Sequence, residues 1–240
     1  MRFDILTIFP DMFNPVLGES IIGRAQNKGL IEINTIDIRD FTLNKHKKVD
    51  DYPYGGGSGL VMMAQPIYDA YRSIVNNMEE KPRVVYMSPQ GESFKQKTAE
   101  RLKNYEHIVI ICGHYEGVDE RVLEEIVDEE ISIGDFVVTG GEIPAMLLID
   151  SVSRLIPGVL SNENSSIEES HYKGLLEYPQ YTRPYEYNGR TVPEVLISGH
   201  HANIQKWRRQ QALIRTLKKR PDMFEKLELS EEDRKLLGED

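Results

Sequence analysis

EISIGDFVVTGGEIPAMLLIDSVSRLIPGVL, residues 130–160, passes from a short β-like run into a long amphipathic-looking one through the tetrapeptide TGGE. Gly134, Asp135, Gly140 and Gly141 surround an otherwise apolar stretch. Glycine lets a backbone turn sharply or approach a neighbour closely, so this junction is either a tight corner or a cradle for a ligand. The choice depends on what the rest of the chain brings beside it.

Outward from that stretch, the apolar runs FDILTIF (3–9), IEINTIDI (31–38), RVVYM (83–87), HIVIIC (107–112) and FVVTG (136–140) read as strands. They alternate with helix-like stretches at 65–77, 93–104, 118–127 and 141–156. This alternation predicts an α/β domain with a largely parallel sheet. A continuous apolar strand such as HIVIIC is expected to be covered on both faces. Residues 161–170, SNENSSIEES, have the composition of a linker and mark a domain boundary. Beyond it, residues 194–227 read as a helical module, with Ile204, Trp207, Ile214 and Leu217 near helical spacing as its apolar face.

With 240 residues, 40% of them hydrophobic and 28% charged, the chain can bury one substantial core and carry a smaller appendage. No apolar run reaches the roughly 20 residues of a membrane span. Asp4 and Asp11 interrupt what would be a signal segment, so a cytoplasmic location and no membrane contact are expected. The single cysteine, Cys112, excludes an intrachain disulfide and a Cys-rich metal site, and its apolar neighbours predict a buried thiol. A net charge of −10 disfavours indiscriminate nucleic-acid binding yet permits a local basic patch.

The glycine-rich YGGGSGLVM (54–62) lacks the Gly-Lys-Ser/Thr of a phosphate loop and reads as a lid, a substrate-side segment or a plain surface loop. SPQGESF (88–94), GHYEGVDERV (113–122) and SIGDFVVTGGEIP (132–144) each follow an apolar run. In a parallel sheet such loops gather in one crevice at the carboxyl ends of the strands, where α/β proteins bind ligands. None carries a Lys/Arg cluster, so a flat heterocycle with its ribose suits them better than a triphosphate. Glu116 is either a solvated loop carboxylate or an anion beside a cationic cofactor. Arg154, four residues after Asp150, reads most simply as half of an intrahelical ion pair. The six histidines show no metal-binding spacing, and Ser58 and Ser198 lack the strand-elbow context of a nucleophile.

Residues 201–220, HANIQKWRRQQALIRTLKKR, hold seven Lys/Arg and no Asp/Glu in an acidic protein. Arg208, Arg215 and Lys219 fall on one helical stripe, with Lys206 and Arg209 nearby, which is the electrostatic footprint of a phosphate-binding helix.

YGGGSG, CGHYEGVDERV, residues 130–160, LLEYPQYTRP and VPEVLISGHHANIQKWR occur in this order, and with them the chain resembles the bacterial tRNA (guanine-37-N1)-methyltransferase family over nearly its whole length. The resemblance implies a trefoil-knotted SPOUT methyltransferase domain with a parallel sheet at 1–160, a linker at 161–175 and a small C-terminal helical tRNA-binding domain at 176–240. It implies a homodimer that methylates N1 of guanosine 37 of tRNA with S-adenosylmethionine and depends on Mg2+. A related knotted methyltransferase with another RNA target, or a non-catalytic RNA-binding protein, are the competing readings.

By the same resemblance the cofactor is held by Tyr86, Pro89, Gly113, Tyr115, Glu116, Ser132, Ile133, Gly134, Asp135, Phe136, Val137, Val138, Gly140, Gly141 and Pro144. LVMM (60–63) and YPYGGGSG (52–59) border the entering guanine. The proton on guanine N1 needs a base and the developing charge at O6 needs a cation. Arg154 matches the family's cation. The family's aspartate base falls on Glu169, one methylene longer, with Glu168 and His171 as alternatives.

Overall fold

Short blocks of β-branched residues, each followed by a helix-forming stretch, set the architecture. The first unit runs through β1 (Arg2–Thr7), α1 (Asn14–Leu17), α2 (Ser20–Asn27), β2 (Glu32–Asp37), the short strands β3 (Asp50–Asp51) and β4 (Val61–Met62), α3 (Ala64–Val75), β5 (Arg83–Ser93), α4 (Gln96–Leu102), β6 (His107–Cys112), α5 (Glu120–Ile126), β7 (Glu129–Ser132) and α6 (Glu142–Ser153). The computed structural model describes residues 1–76, 78–160, 170–171 and 174–238, in two compact units, Met1–Asn162 and Glu163–Asp240.

Five strands pair in the order β2-β1-β6-β5-β7, and every ladder is parallel. The period-2 alternation of a strand sends Ile108, Ile110 and Cys112 of β6 to one face and Val109 and Ile111 to the other. The first face packs on Ala145, Leu148, Ile149 and Val152 of α6, the second on Ile67 and Ala70 of α3 and Val122 of α5. Burying each such Ile or Leu contributes about 1.5–3 kcal/mol, so both faces need their helices. Near the amino-terminal ends of β1 and β6, Asp4 is fully buried and accepts from Arg2, Asn34 and His107.

Chain order and sheet order differ on the right-hand side. β6 lies between β1 and β5, and the chain then passes β5 to form β7 at the edge. The loops leaving the carboxyl ends of β5, β6 and β7 therefore lie side by side.

Two expectations change. FVVTG (136–140) is no strand: the edge strand is Glu129–Ser132, and the run's one ladder contact is an isolated bridge between Gly140 and His114. Val137 is 83% exposed. β-branched apolar content signals a surface that shapes itself against something, and here it walls a cavity instead of entering the pleat. The helix α6 is apolar on most sides, not amphipathic: beyond its buried face, Ile143 and Leu147 are half exposed.

In the second unit, the hairpin β8 (Glu186–Tyr187) and β9 (Arg190–Thr191) precedes α7 (Glu194–Ile197), α8 (His201–Lys219), α9 (Pro221–Phe224) and α10 (Glu231–Leu237). The face of α8 that is buried carries Ala212, Leu213 and Thr216, packed with Leu175 against Phe224, Leu227 and Leu236. The expected face is wrong: Ile214 and Leu217 stand about half exposed, and Trp207 is only partly covered. Ala and Thr attract no notice in a hydrophobicity pattern, yet their small size lets α10 approach. Arg209 pairs through two hydrogen bonds with Asp233 of α10, at 2.8 and 2.9 Å.

Candidate functional site

A cavity of about 450 Å³ opens at the carboxyl ends of β5, β6 and β7. Its walls are the three loops after those strands. From β5 come Ser88, Pro89 and Gln90, which bulge out so that Met87 and Glu92 both face Ile131 of β7. From β6 come Gly113 to Val118, and from β7 the segment Ser132 to Gly141, closed by Pro144 in the first turn of α6.

Close backbone approach explains the glycines. A Cβ on Gly141 would lie 2.7 Å from Cys112 Cα, and one on Gly113 would lie 2.7 Å from Tyr86 Oη. The Gly141 N–H donates to Gly113 O at 2.8 Å, which fastens the start of α6 onto the end of β6. Behind this contact the buried Glu142 accepts from Thr7 Oγ1 at 2.8 Å, and Thr7 Oγ1 accepts from Phe9 N at 2.9 Å. His114 stands edge-on between Phe9 and Tyr115.

The glycine-rich loop is the tip of the β3–β4 hairpin, and it is tied to the cavity. Glu116 N donates to Leu60 O, Met62 N to Gly117 O and Asp119 N to Met62 O, at 2.9–3.0 Å. Burial and the hydrogen-bonded Asp50 carboxylate of the hairpin stem raise the Tyr115 hydroxyl.

Glu116, Glu120 and Glu130 line the cavity, and no Lys or Arg is among the described lining residues. Burial, reinforced by Glu130 and Glu120, pushes the Tyr86 hydroxyl up to about 12, so at neutral pH it is a hydrogen-bond donor. The field inside therefore favours a neutral or cationic ligand over a phosphate. The Cys112 thiol is buried and pushed up by that burial and by Glu142, which makes it an inert packing group rather than a nucleophile.

Of the residues expected to hold the cofactor, Tyr86, Pro89, Gly113, Tyr115, Glu116, Ser132, Ile133, Phe136, Val137, Val138, Gly140, Gly141 and Pro144 line this one cavity. Gly134 and Asp135 do not; Gly134 instead exchanges hydrogen bonds with Ser132 Oγ and shapes the turn. The lining also includes Gln90, His114, Glu120 and Thr139, which lie within the three loop motifs but are not among the residues expected to hold the cofactor. Glu120 and Gln90 were legible only as neighbours of the loop glycines.

Arg154 is not at the cavity. It caps the carboxyl end of α6, its N–H on Asp150 O at 3.1 Å, about 18 Å along the helix from the glycine wall. Glu169 and Glu168 lie outside the described residues. His171 is exposed, with its N–H on Leu175 O. Among the described residues no group of three or more His, Cys, Asp or Glu is placed to hold a metal ion. No described helix is long and apolar enough to cross a membrane.

On α8, the missing counter-charges prove to come from elsewhere in the unit. Arg209 is committed to Asp233, whose carboxyl those hydrogen bonds hold down at about 2, and Arg220 pairs with Asp222. Arg208 lies over the Tyr178 ring, 4.8 Å from its centroid. Lys206, Arg215 and Lys219 stand on the half-exposed or exposed surface of the helix.

A family model described as tRNA (Guanine-1)-methyltransferase TrmD matches residues 1–226. A protein of Ruminiclostridium cellulolyticum is 66% identical over 227 residues, 95% of this chain and 97% of its own length. Proteins of Lachnospira eligens and Clostridium perfringens are 58% identical over 225 residues and 56% over 237, covering 94% and 99% of this chain and 95% and 99% of their own. All three are named tRNA (guanine-N(1)-)-methyltransferase. The chain belongs to the tRNA (guanine-1)-methyltransferase TrmD family.

Proposed function

We propose that this chain transfers a methyl group from S-adenosylmethionine to N1 of guanosine 37 in tRNA, beside the anticodon, in the cytoplasm. The observation that carries the reading is the cavity itself: a glycine-walled crevice lined by three carboxylates and no described Lys or Arg, in a chain of this family. Such a field suits a sulfonium and rejects a triphosphate.

The residues present fit the cofactor: Gly113, Gly140 and Gly141 line the cavity, and a Cβ on them would run into Tyr86, into Glu142 and His114, or into Cys112, so only bare backbone lets these loops close into a wall for a flat ring and ribose. When bound, S-adenosylmethionine supplies an electrophilic methyl group. Gly113, Gly140 and Gly141 give it backbone contact, Tyr86 offers a hydroxyl donor, and Phe136 and Val138 exclude water. Glu116, fastened through its N–H to the glycine hairpin, places a negative charge at the rim where substrate enters. Residues 132–144 would form the family's knot.

Guanine N1 must lose a proton as it attacks. By family correspondence Glu169 accepts that proton, and Arg154 holds the charge that gathers on O6. Since Arg154 sits at the far end of α6, a second copy of the chain would bring it to the cavity. The exposed Ile143 and Leu147 of α6, beside α1 with its exposed Val16, offer an apolar surface for that copy. Lys206, Arg208, Arg215 and Lys219 of α8 would meet tRNA phosphates. Mg2+ dependence is implied by family resemblance, and among the described residues no cluster of three or more His, Cys, Asp or Glu stands ready for the ion.

The test is incubation of a tRNA transcript, and of a counterpart carrying adenosine in place of guanosine 37, with methyl-labelled cofactor, followed by mass spectrometry of the nucleosides. N1-methylguanosine at position 37 alone is expected. Label at another nucleotide, or retained in the adenosine-bearing transcript, overturns the reading.

A further inference from the structure

We infer that the β8–β9 hairpin of the second unit is a stacking platform for unpaired bases of the RNA substrate, with Tyr185, Tyr187 and Arg190 as its working face; this rests on the tRNA reading above. Tyr187 pairs with Arg190 across the hairpin. Val192 N donates to Tyr185 O at 3.0 Å, which extends the pairing by one position. Residues two apart on a strand share a face, so both tyrosines and the arginine point the same way. Glu186, the acidic residue of the hairpin, falls on the opposite face with Thr191.

That face is presented, not folded away. Tyr187 is 71% and Tyr185 46% exposed. Among the described residues none of the ring contacts or ion pairs involves Tyr185, Tyr187 or Arg190. Asn188 and Gly189, at φ 50° and 73°, give the two-residue turn whose twist matches the strands, so the rings are held at fixed spacing before any partner arrives.

Charge decides the kind of partner. Residues 176–220 contain nine Lys/Arg and three Asp/Glu in a chain of net charge −10. A polyanion is drawn to such a segment, and phosphate contacts alone would be met by lysines and arginines without tyrosines. Tyr rings and an Arg plane are the groups on which splayed RNA bases stack, and only unpaired nucleotides expose a base face to them.

The experiment uses the full chain with three variants: Tyr185→Ala/Tyr187→Ala, Tyr185→Phe/Tyr187→Phe, and Arg190→Ala. Kd is measured for the tRNA transcript and for an unpaired RNA oligomer across a salt series, and methyl transfer is read separately. The alanine pair should weaken both RNAs by about 5- to 150-fold for each base that loses its ring, with an unchanged salt slope, because stacking releases no counterions. The phenylalanine pair should bind within about twofold of wild type, and Arg190→Ala, which removes a stacking plane together with a charge that neighbours the RNA phosphates, should weaken binding and lower the slope by up to about 0.7–0.9. Cofactor affinity stays level. Wild-type affinity in the alanine pair overturns the platform, as does equal loss in the phenylalanine pair, which would mean hydroxyl contacts. A changed sedimentation coefficient without altered RNA affinity makes the face an interface between copies and also overturns it. Tyrosine-dependent oligomer binding without methyl transfer to tRNA leaves the platform standing and sinks the methyltransferase reading instead.

Discussion

Gly113→Ala sets its obstruction against one side chain, that of Tyr86, rather than against backbone. The new methyl carbon would lie 2.7 Å from Tyr86 Oη, 3.0 Å from Cε2 and 3.2 Å from Cζ. Ordinary contact begins near 3.4 Å, so the phenol must move by about 0.5–1 Å, and overpacking of this kind costs about 1–3 kcal/mol. Tyr86 is 7% exposed and packed on its inner side with Val84, Val109 and Ile111, so the ring can yield only into the cavity. If the strain is relieved in the free protein and returns on binding, S-adenosylmethionine affinity falls by about 5- to 150-fold, at about 1.4 kcal/mol per tenfold. Calorimetric titration measures it, with a thermal melt to verify folding. A double-mutant cycle supplies the decisive arm. Tyr86→Phe removes Oη and leaves the ring only a few tenths of an ångström too close, so Gly113→Ala/Tyr86→Phe should regain part of the affinity, with a coupling of about 0.5–3 kcal/mol. Cofactor affinity within twofold of wild type in Gly113→Ala, or additivity of the two changes, refutes the geometry.

Reversing Arg208, Arg215 and Lys219 to Glu should raise the KM for tRNA and flatten the salt slope of binding, by about 0.7–0.9 per lost phosphate contact, with cofactor affinity unchanged; an unaltered slope means this side of α8 meets no RNA. Arg209→Ala should act differently, since its guanidinium serves Asp233: its cost appears in unfolding rather than in the salt slope. Asp233 is lowered to about 2 in the folded chain, so its stabilisation is complete above the unfolded value near 3.9 and disappears as pH falls through the folded one. After allowance for the partly exposed Arg209, Asp233→Asn should therefore cost on the order of 1–2 kcal/mol at pH 6 and little at pH 2, measured by denaturant titration. Glu169→Gln should slow single-turnover methyl transfer by about 10²–10⁴ without weakening either ligand, while Glu168→Gln stays mild; a dead Glu168→Gln beside an active Glu169→Gln reassigns the base.

The sheet was legible because continuous apolar runs such as HIVIIC fit only strands buried on both faces, and these strands do pair in parallel. The order of strands was not, since the passage of the chain beyond β5 to form β7 depends on packing between residues far apart in sequence. FVVTG misled because a strand core and a cavity wall draw on the same residue types. The core face of α8 misled in the other sense: Trp207 and Ile214 dominate a hydrophobicity count, while the contact with α10 is made by Ala212 and Leu213, and by an Arg209–Asp233 pair that periodicity counts as surface. The convergence of SPQG, GHYEG and TGGE in one crevice followed from the position of loops in a parallel sheet. The close approach of Gly113 to Tyr86 within that crevice did not.

Under the proposed reaction the cavity has two tasks of opposite sign. Glu116, Glu120 and Glu130 give it a negative field that favours a sulfonium. The same field opposes the anionic guanine that forms as N1 gives up its proton, so a cation must be supplied by another element, and no described lining residue is one. Under the same proposal Arg154, at the far end of α6, would meet that need from a second copy. Complementation reads this directly. Arg154→Gln leaves the cavity intact and removes the cation; Gly113→Val blocks the cavity and leaves Arg154. Each variant alone should be nearly inactive. Denatured together at equal amounts and refolded, half of the dimers would be mixed, and each mixed dimer would own one cavity with its full set of groups. Activity should return to about a quarter of wild type. If Arg154 instead served its own chain, every cavity in the mixture would lack one component, and activity would stay at the sum of the two separate variants.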